Sequence, residues 1–326
     1  MSTQLCACGC GNPLPEYIGN GRRGQYYSGA CRVRAYRSKS KTPVTKPRNE
    51  IEAIPQGTVV KPIMRYPGAK WTRASWIIEH FPPFRTYVEP FFGSGAVFFS
   101  LPKPPEYAVL NDKSRAVVNL FQMIRTRGPE LCALIEMTPW ARDEYDNSFL
   151  QSGDPLEDAR RFLVRCWQAH GTRLNTKTGW RNRGSADGGL TYSLWNRVPD
   201  RVLAIIEKLK YAEIENRDAL DVLTRFADQE DCLVYADPPY LISTRSGAMY
   251  EHEMIDKKEH ETLLDALDKH AGPVVLSGYA HALYDQRLSH WRRVSMSSLA
   301  EKGQVRSEVL WLNAKVPTVV QQSLFV

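Results

Sequence analysis

The chain of 326 residues has no apolar run near the roughly 20 residues that a membrane-crossing helix needs, and no signal-peptide-like apolar stretch near its N-terminus. It also lacks internal repeats and long low-complexity tracts. Cysteine is scarce, with seven in all. Cys132, Cys166 and Cys232 stand singly in segments that read as helix or strand, and the other four fall within the first 31 residues. That is not the spacing of a secreted disulfide framework, and it predicts a reducing compartment. A soluble protein of the cytoplasm is expected. With 43% hydrophobic and 24% charged residues, a wholly disordered, collagen-like or disulfide-stapled chain is excluded.

Most of the chain also lacks an excess of either charge. Residues 1 to 50 carry nine Lys and Arg against Glu16 and Glu50, which accounts for the whole formal charge of +7. The remaining residues hold 34 basic and 34 acidic groups. A basic, Cys-bearing head (1 to 40) is followed by a Lys-, Pro- and Thr-rich linker (41 to 62).

From residue 63 short apolar strands alternate with amphipathic helices, the pattern of a parallel α/β sheet with helices on both faces. Strands are expected at 86–89, 107–110, 212–214, 232–236 and 273–277, with a terminal pair in 290–312. Helices are expected at 114–126, from Val117, Leu120, Phe121 and Ile124, and at 257–270, from Leu263, Leu264 and Leu267. Residues 127 to 210 interrupt the alternation. They are too long for a loop and read as a mostly helical inserted region.

Two motifs sit where such a sheet binds ligands, at the carboxyl ends of strands, and a third stands at the start of the main domain. Asp237-Pro238-Pro239-Tyr240 follows the strand CLVYA and brings together a carboxylate, stiffened turn carbonyls and an aromatic ring. That set suits a planar substrate carrying an NH₂ group, whose two hydrogens need two acceptors. Asp237 and the Pro238 carbonyl can supply them, and Tyr240 can stack on the ring for about 1–3 kcal/mol. The plainer reading is a rigid turn with an Asp cap.

Glu89-Pro90-Phe91-Phe92-Gly93-Ser94-Gly95 also follows a strand, and its glycines allow a sharp turn and close backbone approach to a ligand. Phe98 stands where a dinucleotide fingerprint would place a third glycine, which weakens a nicotinamide reading. The next strand ends in Asn111-Asp112, an acid well placed for ribose hydroxyls. Arg65-Tyr66-Pro67-Gly68-Ala69-Lys70 offers an aromatic face and a cation near a Gly-bearing turn, or simply a turn into a helix.

RYPGAK, EPFFGSG, ND and DPPY, in that order, resemble the Dam-like adenine-specific DNA methyltransferases, which use S-adenosylmethionine. The similarity runs over most of residues 63 to 312. YADPPYL, YEHEM, HETLLDAL, VVLSGY and EVLWLN resemble the phage and prophage forms. The resemblance implies a Rossmann-like catalytic domain made of 63–126 and 211–326, with 127–210 as a target-recognition insertion. It implies that Tyr66, Gly68, Lys70, Gly93, Gly95 and Asp112 bind S-adenosylmethionine, with Glu89, Pro90 and Phe91 in the same motif and Asp218 near the cofactor's adenine. Asp237, Pro238, Pro239 and Tyr240 would form the catalytic site, Asp237 also touching the cofactor. Ala69 replaces a glycine common in the family's first motif.

Direct transfer from a sulfonium needs no metal and no covalent enzyme intermediate. Ring-carbon methylation of cytosine instead needs a Cys nucleophile, and no Pro-Cys pair occurs in the chain. Two alternatives stay open: a methyltransferase for another amine, in cytosine, RNA or a protein side-chain amide, and an inactive zinc-containing DNA-binding protein.

For double-stranded DNA, residues 159 to 186 hold Arg160, Arg161, Arg165, Arg173, Lys177, Arg181 and Arg183 without one Asp or Glu, interleaved with Trp167, His170 and Trp180. The alternative is a helix with a solvated basic face. In the head, Cys6, Cys8, Cys10 and Cys31 could form a structural zinc site, against the reading of a disordered basic tail. The sequence sets neither the recognition site nor the oligomeric state, and a monomer would suffice for these motifs.

Overall fold

Seven strands form one sheet in the order β3-β2-β1-β4-β5-β7-β6. They are β1 (Thr86–Glu89), β2 (Tyr107–Asn111), β3 (Ala212–Glu215), β4 (Cys232–Ala236), β5 (Val274–Tyr279), β6 (Arg292–Leu299) and β7 (Val305–Leu312). The computed structural model describes residues 4–7, 12–14, 31, 60–174, 176–182, 191–245, 247–299 and 305–317. β1 to β5 are mutually parallel, and β7 runs antiparallel between β5 and β6. Every expected strand is present, within a residue or two of its ends. The result is a Rossmann-like sheet, with the strand order reversing on either side of β1.

Both faces of the sheet are covered, so its central strands read as unbroken apolar runs. Alternation survives in where each side chain goes. Tyr87, Leu233, Tyr235 and Val275 enter one core cluster, while Val88, Val234 and Leu276 enter the other. The first cluster is closed by α1 (Ala74–Ile78), α2 (Ala96–Ser100) and the helices that follow β2, and the second by α8 (Ala219–Phe226), α9 (Lys257–Asp268) and α10 (Ala282–Arg287).

Between β2 and β3 the described chain is helical: α3 (Arg115–Met137), α4 (Arg142–Asn147), α5 (Pro155–Gln168), α6 (Thr191–Trp195) and α7 (Val198–Leu209). The helix expected at 114–126 breaks at Arg127 (φ −134°, ψ 28°), just ahead of Pro129, and a second helical stretch of α3 runs on to Met137. Pro129 cannot donate to the preceding turn, and Gly128 there lets Ile206 of α7 pack close to the backbone. α5 starts as its sequence dictates, with Asp154 accepting from the Leu156 amide and Pro155 in the first turn.

Of the head, Leu5 and Pro13 form an antiparallel bridge, and Cys6 and Cys31 are buried. Cys8 and Cys10, like most of the linker, lie outside the described residues. Among the described residues no group of His, Cys, Asp or Glu side chains is placed to hold a metal ion, and no helix is long and apolar enough to cross a membrane.

Candidate active site at the carboxyl edge of the sheet

β1, β2 and β4 end side by side, at Glu89, Asn111 and Ala236. Beyond their ends lies a cavity of about 360 Å³. Tyr66, Gly68, Lys70, Glu89, Pro90 and Phe91 of the expected set line it, as do Gly93, Asp112, Asp218, Asp237 and Pro239. Gly95, Pro238 and Tyr240 stand outside its wall.

The glycine turn divides two tasks between its two glycines. Gly93 (φ +50°) faces the cavity, and a Cβ there would stand 2.9 Å from the Tyr66 ring. Gly95 (φ +68°) faces the core, where a Cβ would meet Phe99 at 2.4 Å and Phe92 at 2.5 Å. The turn rests on aromatic packing, with Phe92 and Phe121 centroids 4.7 Å apart. It is tied to β2 by Asn111, whose Nδ2 donates to the Pro90 carbonyl at 2.9 Å.

Asp112 closes the turn from the other side. Its two carboxylate oxygens accept from the Gly93 and Ser114 amides, each at 2.8 Å. Burial pushes Asp112 up to about 6, although both amides pull the other way. Burial also raises Glu89 well above the usual carboxylate range, opposed by the Tyr87 hydroxyl that donates to it at 2.8 Å. Asp218 caps α8, accepting from the Leu220 amide at 3.0 Å, and pairs with Lys113 at 3.1 Å.

Asp237 is held from two directions. Lys70 Nζ donates to Oδ2 at 2.7 Å, and Ser277 Oγ on β5 donates to Oδ1 at 2.8 Å. Lys70 also donates to the Gly68 carbonyl at 2.7 Å. Burial alone would lower the Lys70 ammonium, but the Asp237 and Glu308 carboxylates outweigh it and raise it. That cation thus faces the aspartate of the chain's own DPPY motif. Tyr240 points its hydroxyl at Glu308, and its ring meets Tyr279 edge-on at 4.6 Å.

Several residues here were not legible as site residues. Ser277 is a polar position inside the apolar strand VVLSGY, and Glu308 directly precedes the apolar run VLWL in β7; a polar group bordering such a run is the signal that marks them. Tyr250 and Glu251 join the cavity wall from the YEHEM segment. Ser114 donates to Glu251 at 2.7 Å, and a buried ion pair of Arg245 with Glu253 braces the segment.

A family model for D12 class N6 adenine-specific DNA methyltransferases matches residues 66–302. The chain belongs to that family. Membership makes it an S-adenosylmethionine-dependent adenine DNA methyltransferase, with DNA as substrate. Among solved structures, similarity is found to an S-adenosylmethionine-dependent methyltransferase of Agrobacterium tumefaciens (10% identity, 76% of this chain and 62% of that one, TM-score 0.34). It is also found to an Escherichia coli protein described as a methyltransferase, yhhF (12%, 74% and 85%, 0.32), and to precorrin 8w decarboxylase of Methanobacterium thermoautotrophicum (9%, 78% and 94%, 0.30).

The basic residues expected to contact DNA fall into different settings in this methyltransferase. Arg160 pairs with Glu144 and Glu157, both at 2.6 Å, and Arg161 with Glu157 at 2.8 Å. Arg165 lies over the Phe149 and Phe162 rings. The acid-free window is therefore partly neutralised by carboxylates just outside it. Lys177 pairs with Asp146 at 2.7 Å in an exposed setting, and Arg173 is exposed. Arg181 Nε donates to the Ala169 carbonyl at 3.2 Å, and Arg183 lies outside the described residues. Trp167 is buried, with its indole N–H on the Ile63 carbonyl at 2.8 Å, so it is a core residue here. Trp180 donates to Gln168 at 3.0 Å, and His170 is exposed.

Proposed function

We propose that this methyltransferase acts at a specific DNA sequence, flipping the target adenine out of the duplex and presenting its 6-amino group to Asp237. The observation that carries the reading is the Asp237 carboxylate, fixed by Lys70 and Ser277 at the mouth of a glycine-edged cleft. Each of its oxygens accepts one protein donor and keeps a second lone pair for the amine hydrogens. The Pro238 carbonyl serves as the other acceptor, localising the nitrogen lone pair. Tyr240 stacks on the base, offsetting part of the few kcal/mol that unstacking costs.

S-adenosylmethionine fits the residues of the cavity. Gly93 leaves room beside the Tyr66 ring, Asp112 retains lone pairs for ribose hydroxyls, and Asp218 stands at the far wall for the adenine edge. When bound, it supplies a methyl group already activated by the sulfonium. The protein's part is to position and to hydrogen-bond.

Target recognition falls to residues 127–210, with Arg173, Lys177 and Arg181 as phosphate contacts and Arg160 and Arg161 holding the helices in place. The setting is the cytoplasm of a bacterial or phage-infected cell. A structural zinc on Cys6, Cys8, Cys10 and Cys31 is proposed on sequence grounds. Too few of its donors are described to make a site, and metal content of the full chain tests it.

Labelled methyl transfer from S-adenosylmethionine to DNA, followed by nucleoside hydrolysis, is expected to yield N6-methyladenine at one sequence context. Label in cytosine, RNA or protein overturns the proposal.

A further inference from the structure

β7 is antiparallel to its neighbour, and that reversal has a chemical outcome. Its early residues lie beside the carboxyl end of β5, with Glu308 opposite Tyr279 in register. A strand from the far end of the sequence thereby delivers a carboxylate to the edge where the parallel strands end. Glu308 is 1% exposed, directly ahead of the buried apolar run Val309–Leu312. A buried carboxylate is costly unless paired and hydrogen-bonded.

Its partners all belong to the catalytic cleft or its first helix. Oε1 accepts from the Tyr240 hydroxyl and stands 3.8 Å from Lys70 Nζ, and Oε2 stands 3.6 Å from Arg73. Lys70 in turn donates to Asp237. Its Nζ also lies 4.9 Å from the centroid of the Tyr240 ring. Two carboxylates and two cations therefore form a neutral cluster beneath the DPPY turn.

We propose that Glu308 is a positioning residue for methyl transfer: by accepting the Tyr240 hydroxyl it sets the tilt of the ring on which the flipped base stacks. It acts through Tyr240 and touches neither substrate nor cofactor. The inference rests on the assignment of Asp237 and Tyr240 to the catalytic site. A carboxylate offers two acceptor oxygens to Tyr240, Lys70 and Arg73. An amide offers one, so Glu308→Gln keeps the shape and gives up the acceptor set.

The test is a double-mutant cycle on kcat with Glu308→Gln and Tyr240→Phe, alongside calorimetry of S-adenosylmethionine binding. Glu308→Gln is expected to lower kcat about tenfold, the scale of one charge-assisted hydrogen bond, with cofactor Kd changed less than about threefold. In the Tyr240→Phe background the same substitution is expected to change kcat less than about threefold. Equal losses in both backgrounds, a loss confined to cofactor affinity, or an unchanged kcat overturns the proposal. Should Glu308→Gln fail to fold, Tyr240→Phe alone carries the test, because it removes the other end of the same bond; a wild-type kcat there overturns it. Asp237→Ala separates the two levels. If it is inactive while the cycle is additive, only the role of Glu308 falls; if it is active, the site assignment falls and the role of Glu308 with it.

Discussion

In the cleft, Lys70 finds its carboxylate 167 residues away, on Asp237. In the helices between β2 and β3, Arg160 and Arg161 find Glu157 three and four residues away, and Arg160 also reaches Glu144 of α4. Local pairs hold a helix together and are visible as i, i+3 and i, i+4 spacing. Pairs that span the chain exist only after the sheet has assembled, and here they place a carboxylate at a chosen point in a cavity. Charge density alone does not separate the two settings; the helical pairs stay within the stretch between β2 and β3, whereas the cleft pair joins the first motif to the end of β4.

The largest effect is expected in the cleft. Asp237→Ala removes the proposed acceptor for the amine and leaves Lys70 beside Glu308. Methyl transfer is expected to fall by about 10³-fold or more, with S-adenosylmethionine binding largely kept, as single-turnover kinetics and calorimetry would show. Transfer at the wild-type rate would remove the cleft's side of the comparison.

Gly93→Ala puts a Cβ 2.9 Å from the Tyr66 ring at φ +50°. Cofactor Kd is expected to rise about tenfold, since strain and cavity loss together cost of order 1–3 kcal/mol. Calorimetry checks it, and an unchanged Kd would show that the turn gives way without loss.

The pH dependence of the cleft follows from Asp112, raised to about 6 by burial. The folded state binds this proton more tightly than the unfolded chain. Its contribution to stability is therefore full at acid pH, below the ordinary carboxylate range, and is lost as pH rises through about 6. Under the proposed role of Asp112, cofactor binding runs the other way, because ribose hydroxyls would donate to the ionised form. Affinity is expected to rise several-fold between about pH 5 and 7. Asp112→Asn should bind more weakly and with a flat profile; a profile like that of the wild type would exclude Asp112 as the titrating group.

On the helical side, Arg160→Ala breaks partly buried pairs with Glu144 and Glu157. It is expected to cost about 1–2 kcal/mol in thermal unfolding, while leaving the salt dependence of DNA binding alone. The smallest effects belong to Arg173→Ala and Lys177→Ala, each expected to weaken DNA binding modestly and reduce the salt slope by about one. If Arg160→Ala lowered the salt slope as well, the division between structural and DNA-facing charge would collapse.

The chain's local chemistry determined a great deal. Short apolar runs in strands buried on both faces, leucine spacing in α9 and the Asp154-Pro155 start of α5 depend on residues within one element. They were readable because the forces that produce them act over a few residues. The same holds for the motifs EPFFGSG, ND and DPPY, which end strands and so fall at the sheet's carboxyl edge whatever else the fold does.

Only the tertiary structure decided which charges meet. Spacing could not show that Lys70 binds Asp237 rather than a ligand, or that Gly95 serves packing against Phe99 while Gly93 opens the cavity. Nor could it show that Trp167 is buried, or that Ser277 and Glu308 reach the DPPY turn from β5 and β7. Such contacts depend on strand order and on the reversed direction of β7, which are set by the packing of the whole sheet. A buried polar group is stable only where that packing supplies its partner.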